Sequence, residues 1–500
     1  MRIGGVCNIF GKLLILLSLF LLLPIPFSLY YNDHMEKVFL LCAGLGALAG
    51  SGLVYVFLPD EEMGFRDGFA VVLLSWLGLA FLGAMPYYFS GNGLTLIDCW
   101  FESMSGFTTT GSTILPSVEI LPKSALFWRA ATHWLGGMGI IVLSLAILPL
   151  LGYTGTHFFQ AEMPGPTKDR LAPRIQDTAR ILWSVYLLLT AVETALLMLG
   201  GMSFFDAVCH AFATLATGGF STHTPSVAWF DSAYIDLVIV LFMFLAGTNF
   251  TLHYHGLIRG RLSSYWKDEE FRLYTLFVVG ATLILVVANR LSGDYLDAGR
   301  NGRDSLFQVV SILTTTGFGT ADFDGWAPIC KMLLVGLMFV GGCAGSTGGG
   351  IKVVRILLFF KYARLQVHSL VHPHSVGTIK VNGVRVPREV KVAIIGFLAL
   401  YMAVFSVSCL LVAATGVDIV TGSTAVIATL NNIGPGLGLV GPSQHFGHLP
   451  AFAKLVLSIC MLAGRLELYT VAVLFTPAYW AMAKRPRYRW TRPQPPSCKL

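Results

Sequence analysis

Four stretches of the 500-residue chain set short polar residues before a glycine at one fixed spacing. They end in Thr109-Thr110-Gly111-Ser112, Thr217-Gly218-Gly219-Phe220, Thr315-Thr316-Gly317-Phe318 and Asn432-Ile433-Gly434-Pro435. In each, a residue able to cap a helix (Asp98, Asp206, Asp304 or Thr421) lies thirteen positions before the glycine. One such spacing is noise, whereas four in register define an internal repeat. Asp or Thr at a helix start accepts the orphan N–H groups of the first turn, and the ten or so residues that follow make a helix of about 15 Å. The chain must then return as extended backbone around a glycine, which tolerates dihedrals that other residues resist. Carbonyl oxygens of such a turn can replace the hydration water of a cation, and the helix C-termini add negative dipole ends aimed at the same point. The chemistry on offer is coordination of a cation by backbone carbonyls, from four segments around one axis.

Elements that could hold four half-length helices must lie in a membrane, and the composition agrees. The chain is 55% hydrophobic and 12% charged, with mean hydropathy +0.70, against about 25% charged in soluble proteins. A water-soluble enzyme or regulator is excluded. Fifty-three glycines and 22 prolines are too many for plain anchors, because both residues loosen or interrupt helices. Apolar stretches long enough to cross about 30 Å of hydrocarbon occur at 13–31, 38–58, 68–90, 126–151, 180–201, 232–256, 272–291, 327–360, 390–414 and 451–483. The expected fold is therefore an all-α membrane protein with ten transmembrane helices. Two extra N-terminal helices occupy 1–67, and pore repeats follow at 68–151, 180–256, 257–360 and 390–483. Inner loops at 152–179 and 361–389 and a basic tail at 484–500 complete the division.

With the N-terminus inside, the inner segments and their helix ends hold 25 of the 34 lysines and arginines. That asymmetry is the positive-inside pattern and places both termini in the cytoplasm. The net charge of +7 is thereby explained by topology, which leaves no case for a nucleic-acid partner. Nine cysteines without a Cys-x-x-Cys pair read as small apolar fillers. The pairs His253/His255 and His372/His374 lack the acidic or Cys companions of a metal site.

The eighth span, Ala327 to Phe360, would be about 51 Å long as one helix. Six glycines in the ten residues Gly341 to Gly350 cannot hold a helix against the entropy they lose. An irregular intramembrane loop belongs beside a cavity. Its residues Gly341, Gly342, Gly345, Ser346, Thr347, Gly348, Gly349, Gly350 and Lys352 are expected to gate the inner pore. A nucleotide P-loop is excluded because Ile351 and Lys352, not Lys and Ser/Thr, follow Gly350. Arg465 sits mid-span in Gly464-Arg465-Leu466-Glu467, where a bare charge is costly. It either pairs with Glu467 or carbonyl groups, or faces the cavity as a cationic barrier. Glu193, also mid-span, has no assignable pore role.

The third turn, Thr315-Thr316-Gly317-Phe318-Gly319, is close to the Thr-Val-Gly-Tyr-Gly filter of potassium channels. Further motifs are Ala161-Glu-Met-Pro-Gly-Pro-Thr-Lys-Asp-Arg-Leu-Ala-Pro-Arg-Ile175, Gly247-Thr-Asn-Phe-Thr-Leu-His-Tyr254 and Gly341 through Lys352. With the four turns, they make nearly the whole chain resemble the Trk/Ktr/HKT superfamily of potassium transporters, and within it the TrkH subfamily. That resemblance implies four helix–pore loop–helix repeats around one pore per subunit, homodimers, a bacterial inner-membrane location and a gating role for the glycine loop and for Arg465. It also implies a cytoplasmic partner, the TrkA-type nucleotide-binding subunit, so that any ATP or NAD dependence resides there. No cofactor is expected in this chain, and K⁺ is the transported ion, bound only at the filter residues. His133 stands where the family usually has glutamine.

The reading is thus potassium uptake driven by the membrane potential, with proton symport left open. Within the same fold, a Na⁺- or NH₄⁺-permeant channel is the alternative, since Ser112 follows Gly111 and serine in the first filter accompanies sodium permeation in plant relatives. An intramembrane enzyme using Ser346 with a distant histidine, and a sensor whose pore no longer conducts, are the readings from other classes.

Overall fold

A chain this apolar must satisfy its backbone N–H and C=O groups within each segment, and helices do so. In a computed structural model, residues 2–60, 64–150, 175–374 and 377–480 are described. The motif stretch 161–174 with Lys168, Arg170 and Arg174, and the basic tail 484–500, lie outside them. The order is α1 (Ile3–Phe20), α2 (Ile25–Tyr31), α3 (Glu36–Val56), α4 (Phe65–Phe89), α5 (Leu96–Phe107), α6 (Lys123–Leu150), α7 (Ile175–Leu199), α8 (Phe204–Leu215), α9 (Ala233–Ala246) and α10 (Phe250–His253). It continues with α11 (Ser263–Lys267), α12 (Glu269–Ser292), α13 (Ala298–Leu313), α14 (Pro328–Met338), α15 (Val353–Val371), β1 (Lys380–Val381), β2 (Val384–Arg385), α16 (Arg388–Ala413), α17 (Ile419–Leu430), α18 (Ala451–Arg465), α19 (Tyr469–Leu474) and α20 (Pro477–Trp480).

Among the described residues, six helices are long and apolar enough to cross a membrane, and a bent pair makes a seventh candidate. Close helix crossings rely on small residues, as between lipid-embedded helices generally. A Cβ on Gly11 of α1 would lie 2.7 Å from the carbonyl oxygen of Gly50 on α3. The buried apolar side chains form two large clusters. One joins α1–α6 with α16–α18, and the other is built mainly from α7–α9 and α12–α14.

The short helices α5, α8 and α17 have 12 residues each and α13 has 16, or about 18–24 Å. They start earlier than expected. Thr95, Ser203, Asp297 and Asp418 are the N-caps, and Asp98, Asp206 and Thr421 lie three residues later. The physical reason at the first helix is a capping box. Thr95 Oγ1 accepts the Asp98 N–H at 3.2 Å while the Asp98 carboxylate accepts the Thr95 N–H at 3.3 Å. Asp304 lies inside α13, where its carboxylate accepts from the Tyr295 hydroxyl at 3.0 Å.

Three expected spans are interrupted. The stretch 232–256 bends by 106° between α9 and the helix from Phe250 to Gly256. Asn249 Oδ1 there accepts the Thr251 N–H at 2.9 Å and starts a new helix. The stretch 327–360 breaks, as the glycines required, between α14 and α15. The stretch 451–483 breaks after Arg465, with Glu467 at φ 54°. The first span begins at Ile3, not residue 13, and turns before α2 at Pro24, which has no N–H to continue the helix. The loop expected at 361–389 opens with the last eleven residues of α15 and contains the antiparallel β1–β2 hairpin.

Candidate functional site

Each short helix ends in the same turn. The N–H of Thr110, Gly218, Thr316 and Ile433 bonds to the carbonyl oxygen five residues back, on Ser105, Ala213, Ser311 and Ala428, at 2.8–2.9 Å. The N–H of Thr109, Thr217, Thr315 and Asn432 bonds three residues back, at 2.9–3.3 Å. This is the Schellman arrangement, whose left-handed position is ordinarily glycine. Here it is threonine three times and asparagine once, at φ 52°, 54°, 60° and 55°. A β-branched residue in that region costs about 1–3 kcal/mol and persists only where its surroundings enforce it. Two residues on, Gly111, Gly219, Gly317 and Gly434 return to positive φ, at 82°, 80°, 83° and 111°.

The four turns close on one another. A Cβ on Gly111 would overlap the carbonyl oxygen of Gly218, one on Gly219 that of Thr316, and one on Gly317 that of Ile433. A Cβ on Gly434 would stand 3.0 Å from the carbonyl oxygen of Thr110. First meets second, second third, third fourth, and fourth first. Across the last junction, Ser112 Oγ donates to Gly434 O at 3.0 Å and Asn432 Nδ2 donates to Thr110 Oγ1 at 2.9 Å. Thr109, Thr110, Thr217, Thr315, Thr316, Asn432 and Ile433 are fully buried, and Phe220 and Phe318 nearly so.

Behind the turns is a second register that the sequence reading missed. Nine positions before the glycines stand Glu102, His210, Gln308 and Ala425. The three polar residues tie their helix to the strand leaving the same turn. Glu102 accepts from Thr113 Oγ1 at 3.0 Å and from the Ile114 N–H at 2.9 Å. His210 Nε2 lies 3.0 Å from Ser221 Oγ, and Gln308 Nε2 donates to Ala321 O at 3.2 Å. In the fourth segment Thr424 Oγ1 takes over, accepting the Leu437 N–H at 3.0 Å. Arg129 pairs with Glu102 at 2.7 Å in the buried interior, donates to Ser221 O at 3.2 Å and stacks on the Phe220 ring at 3.9 Å. It thus links the first two turns. The thirteen-residue register would have revealed this set had the helix positions also been compared across copies. His133 lies against Phe220 with ring centroids 4.1 Å apart, and neither ring nitrogen has a partner among the described residues.

The glycine loop is an irregular stretch between α14 and α15, closed at its neck by a Val340–Ile351 bridge and by Gly341 N–H donating to Ile351 O at 2.9 Å. It lies directly against the third and fourth turns. Gly349 N–H donates to Thr315 Oγ1 at 2.7 Å, and a Cβ on Gly348 would be 3.0 Å from Thr314 O. Thr347 Oγ1 donates to Leu215 O at 2.9 Å, and Cys343 N–H to Gly247 O at 2.8 Å, at the α9 bend. Gly342 is held by the Val353 N–H, Gly345 O accepts from the Phe250 N–H, and Lys352 donates to Gly348 O. Gly350, at φ 67°, leads into the neck. Ser346 donates to Cys343 O at 2.6 Å, which commits its hydroxyl to the loop itself.

Arg465 is buried and joins the loop to the first repeat, donating to Thr347 O at 2.6 Å and to Gly136 O at 3.0 Å. It does not pair with Glu467, which bonds instead to Arg355. Glu193 is buried with neither oxygen bonded among the described residues. His253 bonds to the Tyr265 hydroxyl and Leu245 O, and no cluster of three metal-ligating side chains exists among the described residues.

Comparison with known proteins identifies the family. The family described as "TrkH: cation transport protein" matches residues 46–482. The Trk system potassium uptake proteins TrkH of Halomonas elongata and Escherichia coli K12 are each 43% identical, covering 96% of this chain and 100% of their own. TrkG of Escherichia coli K12 is 36% identical over 95% of this chain and 98% of its own. The crystal structure of the potassium transporter TrkH from Vibrio parahaemolyticus superposes with a TM-score of 0.87 at 40% identity, covering 96% of this chain and 100% of that one.

Proposed function

Because the chain belongs to the TrkH family of cation transport proteins, we propose that it takes up potassium through the ring of four glycine turns. It is a multi-pass membrane transporter and not an enzyme. The observation that carries the reading is the closed order of the turns, each glycine abutting the next segment's carbonyl oxygen. A ring built this way leaves no room for side chains and presents backbone oxygens, the ligands that replace potassium's hydration shell. The ion-binding residues are then Thr109–Ser112, Thr217–Phe220, Thr315–Phe318 and Asn432–Pro435. The helix C-termini behind them add their negative dipole ends.

The full reading has ten spans, adding 126–151, 327–360 and 451–483 to the seven candidates. It has four pore repeats, the bacterial inner membrane as location and both termini in the cytoplasm, supported by the basic inner segments. The loop Gly341–Gly350 is the gate, supported by its bond to Thr315 at the inner end of the ring. Arg465 is a cationic barrier that also tethers it. The chain works as a homodimer with a cytoplasmic nucleotide-binding subunit of the TrkA kind.

The test is isotope uptake into liposomes holding the full chain, with K⁺, Na⁺ and NH₄⁺ in competition. Potassium selectivity in the natural chain, lost in Gly317→Ser, is expected. Preference for Na⁺ or NH₄⁺ would favour the alternative that rests on Ser112. Absence of flux, with and without the regulatory subunit, would sink the reading.

A further inference from the structure

We infer that Glu270 is the positioning residue of the gate, and that the β1–β2 hairpin is the lever that moves it from the cytoplasmic side. The inference rests on reading Gly341–Gly350 as a gate. Glu270 opens α12 and is buried, and its one oxygen Oε1 accepts two N–H groups: Ala344 at 2.7 Å and Val354 at 3.0 Å. Ala344 is on the limb entering the loop and Val354 on the limb leaving it. A single carboxylate therefore pins both limbs at the neck. Val354 N–H is also an orphan donor of the first turn of α15, whose N-cap Lys352 has no side-chain acceptor to offer. Another helix supplies the missing acceptor.

The two residues before Glu270 hold something else. Asp268 caps α12 through the Phe271 N–H at 2.8 Å, and its other oxygen accepts from Asn382 Nδ2 at 2.8 Å. Glu269 donates its N–H to Asn382 Oδ1 at 2.9 Å and accepts the Asn382 N–H at 3.0 Å. Asn382 is the tip of the hairpin, at φ 50°. Lys361 of α15 pairs with Glu269 and donates to Lys380 O at 2.7 Å. Three consecutive acidic residues thus grip the hairpin tip with two side chains and the gate with the third. A second link is apolar: Ile379, Val381 and Val386 of the hairpin region share a buried cluster with Ala344, Val354 and Leu358.

The coupling follows from that geometry. Displacing the hairpin tip breaks the bonds at residues 268 and 269, rotates the first turn of α12 and withdraws the Glu270 oxygen from both limbs. Loss of these two bonds leaves two buried N–H groups unpaired and shifts the loop away from its closed seat.

The experiment is potassium flux through the full chain in liposomes, with the K⁺/Na⁺ ratio measured in parallel. Glu270→Ala should raise the open-to-closed ratio by about tenfold, the loss of two hydrogen bonds to buried N–H groups. Glu270→Gln, which keeps one acceptor oxygen but adds an amide N–H₂ that cannot accept from the two N–H groups, should raise it by about threefold. Asn382→Ala, away from the interior, should raise it less, and not additively with Glu270→Gln, because the two act through one helix turn. The ion ratio should not move, which separates positioning from a collapsed pore. If Glu270→Ala fails to fold, Glu270→Gln and Asn382→Ala decide. Normal gating in those two well-expressed variants overturns the inference. Deleting Gly348–Gly350 is the control for the gate itself. Raised flux in the deletion with unchanged flux in the Glu270 variants discards the clamp and keeps the gate, whereas no change in the deletion discards both.

Discussion

The ring and the loop beneath it are both made of glycine, and they use it in opposite ways. In the ring the same turn is written four times, and each copy is held by its own helix through backbone hydrogen bonds. Gly111, Gly219, Gly317 and Gly434 there sit at positive φ against a neighbour's carbonyl oxygen. In the loop six glycines come in one run, and only Gly345 and Gly350 among them have positive φ. Beyond backbone bonds to Gly247 and Phe250, the loop is held by side chains from other elements, Arg465, Thr315 and Glu270. A structure fixed by its own backbone has one conformation, as selection of an ion by distance requires. A structure fixed by a few borrowed polar contacts can be released by moving their owners.

The sharpest way to break that contrast is inside the ring. At Gly317 a methyl group would overlap Ile433 O, and at Gly434 it would stand 3.0 Å from Thr110 O. Both substitutions also pay the positive-φ penalty of about 1–2 kcal/mol. Gly317→Ala should therefore abolish potassium-selective uptake, and Gly434→Ala should keep part of it with a lowered K⁺/Na⁺ ratio. Equal losses in paired flux measurements would mean that the ring is not closed as described.

A smaller effect is expected at the loop's tether. Arg465→Gln removes two donors from Thr347 O and Gly136 O, bonds to a charged group worth about 1.5–3 kcal/mol each. Single-channel recording should show a larger open fraction by at least about tenfold, with selectivity intact because the ring has lost nothing. Arg465→Lys keeps the charge but not the planar fork that reaches two carbonyls, so it should fall between Gln and Arg. A lysine variant that leaks as much as the glutamine one would show that the tether, not the charge, closes the pore.

What the sequence disclosed divides along the same line. The four glycines and the break at Gly341–Gly350 were legible because spacing and composition are properties of the chain itself. Three of the four caps lie three positions before the residue the spacing singles out, and Asp297 lies seven before Asp304, because an N-cap and the acid of its capping box are both plausible helix starters and only geometry separates Thr95 from Asp98. The bend after Ala246 went unread although Gly247-Thr-Asn249 was in view, since its cause is partly the Phe250 N–H seeking Gly345 O across the fold. Glu102 with Arg129 and Glu270 with Asn382 could not be paired from the sequence. Each pair joins segments that only folding brings together, 27 residues apart in the first case. Arg465 is buried as its mid-span position implies, but its neighbour Glu467 turns to Arg355 instead.

The mildest test lies outside the ring, where the first and second turns are joined at the outer surface. Glu119 accepts the Thr224 N–H at 2.8 Å, the Thr224 hydroxyl and the Ser117 hydroxyl, the last at 2.6 Å. Partial burial pushes its carboxyl up, but these donors win and hold it down to about 2. A carboxyl lowered by folding stabilises the protein fully above its ordinary value, and that contribution is lost only as pH falls through the lowered one. Between about pH 5 and pH 8 the group stays ionised and contributes no slope. Glu119→Gln should therefore lower the midpoint of thermal unfolding by about 1–2 °C, equally at both ends of that range, and leave the K⁺/Na⁺ ratio unchanged. A selectivity change from this exposed position would mean that the ring is held from its outer rim as well as by its own helices, and the contrast with the loop would weaken accordingly.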